Sequence, residues 1–142
     1  MLIRGLLAVI LIAFLPSLAF AEAKAEGEEG KGPARGFEYI ALTPGFIVSF
    51  GAEGRVGYLK ADVSLRVATP AAAAVELHMP AIRHELIMLL SRQPPEVLTA
   101  QDKREALRME ALEHLRKFLE EAGKVKPEEI QDLLFTSFFT QR

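Results

Sequence analysis

The chain has 142 residues, seventeen of them Lys or Arg and nineteen Asp or Glu, for a formal net charge of −2. Basic and acidic residues are interspersed, so no broad basic face is available to neutralise a phosphate backbone, and nucleic acid is excluded as an expected partner. It holds no cysteine, which rules out a disulfide framework and every thiolate metal site.

Met1 to Ala21 reads as an export signal. Arg4 supplies the positive start, Gly5 to Leu15 an uncharged apolar run, and Pro16-Ser17 a break before Ala19-Phe20-Ala21, a good A-x-A cleavage site. The competing reading is a single transmembrane anchor, because the uncharged run Gly5 to Ala21 reaches the lower limit of about 17 to 25 residues for a spanning helix. One reading gives a soluble periplasmic protein, the other an inner-membrane protein facing the periplasm. Residues 22–36 are rich in Glu, Lys, Ala and Gly, too poor in apolar surface to offset their ordering entropy, and read as a flexible linker. Residues 37–142 then form one domain, near the commonest domain size of about 100 residues.

Phe37 to Leu42 reads as a short strand, Thr43-Pro44-Gly45 as a turn and Phe46 to Phe50 as a second strand, with Gly51 to Gly54 a hairpin loop into a long third. In that third strand Leu59, Ala61, Val63, Leu65 and Val67 alternate with Lys60, Asp62, Ser64 and Arg66, a period of two that gives one buried and one wet face. Thr69-Pro70 suits a helix N-cap and first helical position. The helix that follows carries Val75, Met79, Ile82, Leu86, Leu89 and Leu90 at spacings of three and four, and Pro80, which has no N–H to give Glu76, predicts a kink at Met79-Pro80. Gln93-Pro94-Pro95 closes this segment. Thr99-x-x-Asp102 has the form of a capping box, so a second helix is expected from near Ala100, with Gly123 as its left-handed C-terminal residue. Ile130 to Gln141 is aromatic and β-branched enough for a last strand. The order ββ(β)-α-α-β predicts an α+β domain, two helices packed on one face of a mainly antiparallel sheet.

Enzyme signatures do not emerge. His78 and His84 are six apart and point away from each other on a helix, and His114 stands alone, so metal and catalytic sites are not expected. Glu105 with Arg108, and Glu113 with Arg116 and Lys117, read as pairs on a solvated helix face. Gly51, Gly54 and Gly57 lead into a strand, whereas phosphate-cradling loops lead into a helix, so they read as turn glycines. Ser64, Ser91 and Ser137 have no nucleophile-elbow context.

Several segments, in order, resemble the FliL family of flagellar basal-body-associated proteins: Leu42 to Val48, Tyr58 to Leu65, His78-Met79-Pro80-Ala81-Ile82-Arg83, Leu90-Ser91, Ala100 to Arg108 and Leu134 to Gln141. The likeness spans about Tyr39 to Gln141. It implies a non-catalytic protein of the inner membrane with a stomatin-like periplasmic domain, assembled as a homo-oligomeric ring about the flagellar stator and supporting rotation, swarming and chemotaxis. It implies no cofactor and no small-molecule substrate. The N-terminus departs from the family, its usual cytoplasmic tail and full-length anchor being shortened to a segment with a cleavage site, which fits a paralogue exported as a soluble periplasmic protein; a second reading of the function is a stomatin-like scaffold, soluble periplasmic or membrane-associated, not tied to motility. For the contact between ring neighbours the candidates are Lys60, Asp62 and Arg66 on the long strand and His78, Arg83, His84 and Glu85 at the kink, since charged faces suit a repeated heterologous interface.

Overall fold

A computed structural model describes residues 36–51 and 54–142. The signal or anchor segment 1–21 and the linker, Gly36 apart, lie outside the described residues. Four strands, β1 (Phe37–Ala41), β2 (Phe46–Phe50), β3 (Gly57–Ala68) and β4 (Ile130–Gln141), form one sheet in which every pairing is antiparallel. The period of two in β3 dictates its placement: Leu59, Ala61, Val63, Leu65 and Val67 are buried, while the residues between them are exposed or half-buried. β4 occupies one edge of this central strand, and β1 and β2 share the other, β1 beside Ser64–Ala68 and β2 beside Gly57–Ala61.

β1 and β2 are therefore two halves of one interrupted edge. Ala41 pairs with Ser64 and Phe46 with Ala61, so the four residues 42–45 face only the two residues 62 and 63. The Leu42 N–H donates to the Val63 carbonyl at 2.9 Å and keeps the ladder running into the interruption. Gly45 is required there, because a Cβ at this position would stand 2.2 Å from Asp62 Oδ1 and 3.3 Å from the Ala61 carbonyl oxygen. Gly51 and Gly54 both have positive φ, as turn glycines should.

The helices are α1 (Ala72–Leu77), α2 (Met79–Ser91), α3 (Pro95–Thr99) and α4 (Arg104–Gly123), with 3₁₀ turns at Thr69–Ala71, Gln101–Lys103 and Pro127–Glu129. They cover the inner face of the sheet. Val75, Ile82, Leu86, Leu90, Leu98, Leu107, Leu115 and Leu119 meet Leu42, Phe46, Leu59 and Leu65 in one continuous core. No polar or charged residue is buried among the described residues. The α+β class and the one-sided helical layer agree with expectation.

Five local expectations are corrected. Thr69 is not an N-cap: it lies inside the first 3₁₀ turn, with Ala68 at the cap position, and its own N–H donates to Gly36 at 3.1 Å, tying the entry of β1 to the exit of β3. The kink falls one residue early, at His78, whose backbone leaves the helical region while Pro80 sits in the first turn of α2. Pro94-Pro95 begins α3 rather than only ending α2, because Leu98 must turn inward to be buried, and Thr99 Oγ1 bonds back to the Pro95 carbonyl at 2.8 Å instead of capping α4. Lys124, at φ 55°, is the left-handed residue, with its own N–H and that of Val125 both reaching the Leu119 carbonyl. Gly123 serves a different need, since a Cβ there would meet the His78 ring at 3.2 Å.

Candidate interaction surface

Kink and interrupted strand are held together by one side chain. Arg83, on the first turns of α2, donates through Nη1 to the Leu42 carbonyl at 2.9 Å and the Pro44 carbonyl at 2.5 Å, and its guanidinium lies 4.5 Å from the Phe46 ring centroid. Two carbonyls that leave the ladder thereby gain a charged donor, and the planar group stacks on the aromatic that opens β2. His78 is half-buried against Gly123, which brings the α1–α2 junction onto the end of α4. Glu85 lies 2.6 Å from His114 Nε2 and so joins α2 to α4. His84 alone of these four is exposed, beside Thr43, Pro44, Met79, Pro80 and Ile87 on a shallow apolar hollow.

The other candidates stand on the opposite side of the domain. Lys60, Asp62 and Arg66 are on the outer face of β3, which no helix covers. Arg66 stacks over the Phe37 ring at 3.7 Å, with Phe37 in turn edge-on to Tyr39 at 5.6 Å. Asp62 leans on the Gly45 backbone. Lys60 is exposed between Ile47 of β2 and Phe139 of β4, its two cross-strand partners. The seven candidates thus form two groups on two layers, not one patch.

Sequence reasoning named the charges and missed the apolar residues around them. Phe37, Tyr39, Ile47, Tyr58 and Phe139 all stand exposed on the outer sheet face, at positions in register with Arg66, Lys60 and their alternates. The signal was there, because residues paired with the wet positions of β3 must themselves face outward. A face with this many exposed large apolar groups has the character of a contact surface.

A second charged cluster fastens α4 to β4. Arg108 bonds Glu105 Oε1 at 2.5 Å, Asp132 Oδ1, and the Leu133 carbonyl at 3.0 Å. Arg116 bonds Glu113 Oε1 at 2.5 Å and the Ile130 carbonyl at 2.9 Å. The hydrogen bond from Arg108 holds the Glu105 carboxyl below its ordinary pKa, and the same bond raises that of Arg108. These arginines satisfy carbonyls at the start of an edge strand, and together with the register shifts of β4 opposite Asp62/Val63 and Arg66/Val67 they blunt that edge against stray pairing. Among the described residues no group of three His, Asp or Glu is placed to hold a metal ion, and no helix is long and apolar enough to cross a membrane.

A search of curated proteins finds no match to this chain. The family model described as "Flagellar basal body-associated protein FliL" matches residues 39–141, from the third residue to the last of the four-stranded sheet. The chain belongs to the FliL family and is a flagellar basal-body-associated protein.

Proposed function

We propose that this protein is a non-enzymatic component of the flagellar motor that associates with the stator units as a homo-oligomeric ring on the periplasmic side of the inner membrane, and supports rotation, swarming and chemotaxis. The observation that carries the reading is the family match over residues 39–141, from within β1 to the end of β4. The domain's surface suits such work. It offers an outer sheet face mixing aromatic and charged groups, and a helical face with a kink braced by Arg83. Lys60, Asp62, Arg66, His78, Arg83, His84 and Glu85 remain the candidate contact residues; His84 and Lys60 are exposed and Arg66 is half-buried on the outer face, while Arg83 and Glu85 already have partners inside the domain.

The test is a deletion strain complemented in trans. Loss of swarming and slower rotation in the deletion, restored by the full chain, is the result expected. Normal swarming and rotation in the deletion would overturn it and favour the stomatin-like scaffold. Reversing Arg66 to Glu should reduce both oligomer size and complementation, and no change in either would remove that residue from the contact.

A further inference from the structure

Two features on opposite layers of the domain fit each other. Leu77, the last residue of α1, is 77 % exposed and projects from the helical side just before the kink. On the sheet side Ile47 and Phe139 are 72 % and 73 % exposed and flank Lys60, with Tyr58, Asp62 and Ser137 completing a shallow hollow. Ile47, Lys60 and Phe139 lie in one cross-strand row. Strands about 4.8 Å apart put Ile47 and Phe139 roughly 10 Å from each other, with the Lys60 side chain rising from the same face between them and its aliphatic stem lining the hollow. Glu76, exposed and adjacent to Leu77, carries the charge opposite to Lys60, and among the described residues neither is in an ion pair.

We propose that Leu77 of one copy packs into the hollow flanked by Ile47 and Phe139 of the next, against the Lys60 stem, with Glu76 meeting the Lys60 ammonium. The inference rests on the reading of the protein as a homo-oligomer and assigns the contact. Knob and hollow occupy different layers, so a copy that uses one still presents the other, and the contact is heterologous: it propagates, and closes into a ring where the rotation per copy allows. The charges set the register and the leucine supplies the desolvated centre.

The absence of cysteine makes the test clean. Leu77→Cys and Phe139→Cys are introduced into the full chain, singly and together, and cells are treated with a short bis-maleimide. The double variant should give a ladder of dimers, trimers and higher species, and the two single variants co-expressed should give dimers that neither gives alone. In the double-cysteine background Lys60→Glu or Glu76→Lys should each weaken the ladder about two- to fivefold, and the two reversals combined should restore it. Cross-linking of either single variant to itself as strongly as in the mixture would overturn the proposal in favour of a two-fold contact. No bis-maleimide product, while formaldehyde still yields oligomers of the unmodified chain, would overturn the contact but leave the oligomer standing. No product with either reagent would overturn both.

Discussion

Arg83 and Leu42 are forty-one residues apart in sequence and 2.9 Å apart in space, guanidinium to carbonyl. Through this bond and its companion to Pro44, α2 fixes the point where the first edge of the sheet is interrupted. Arg83→Ala should destabilise the domain by about 2 to 3 kcal/mol, the cost of leaving carbonyls without a charged donor. Arg83→Lys should recover less than half, because an ammonium cannot bond two carbonyls and stack on Phe46 in one planar geometry. Urea unfolding of the three proteins measures this. A loss of motility in Arg83 variants therefore counts as a contact effect only if stability is retained.

Lys124 is the one non-glycine residue with positive φ among the described residues, and its side chain is exposed. Lys124→Gly removes the Cβ from a left-handed position without uncovering any packing, and should raise stability by about 1 kcal/mol. Gly45→Ala acts in the opposite direction, since the new methyl meets Asp62 and the Ala61 carbonyl. It should cost about 1 to 3 kcal/mol, with Asp62→Ala in the same chain recovering part of the loss. Thermal melts of the single and double variants decide both.

Much of this architecture was legible because apolar periodicity is a direct consequence of packing. The alternation from Leu59 to Val67 is the central strand, and the spacing of Ile82, Leu86, Leu89 and Leu90 is the buried stripe of α2. What was not legible depended on groups without a local signature. Thr99 has the residue type of a cap, but the need to bury Leu98 captures it in α3. Gly123 is the natural left-handed residue, yet close approach of the His78 ring uses its missing side chain and leaves the reversal to Lys124. Arg83, Arg108 and Arg116 bond backbone carbonyls far along the chain, and carbonyls have no sequence pattern. For the contact surface, charges were visible, while Ile47, Tyr58 and Phe139 became surface residues only once the strand register was known.

The Glu105–Arg108 pair predicts a definite pH response. The folded-state pKa of Glu105 is depressed, so its contribution is present above the ordinary carboxylate pKa of about 4.3 and is lost as pH falls through the lower folded value. Glu105→Gln should therefore flatten the fall in stability below pH 4 and leave the neutral-to-alkaline limb unchanged. Because the pair is exposed, added salt should shrink the difference. Arg108→Ala should do more harm than Glu105→Gln, about 2 kcal/mol, since it also strips the donor from Asp132 and the Leu133 carbonyl. Denaturant midpoints at pH 7 and pH 3, with and without salt, test both statements.

The proposal that this FliL-family domain works at the stator has one direct test. It is periplasmic cross-linking of the tagged full chain in swimming cells, followed by mass spectrometry of the captured proteins. The account predicts stator subunits together with copies of the chain itself. Recovery of the chain alone, or of envelope proteins with no stator subunit among them, would contradict it.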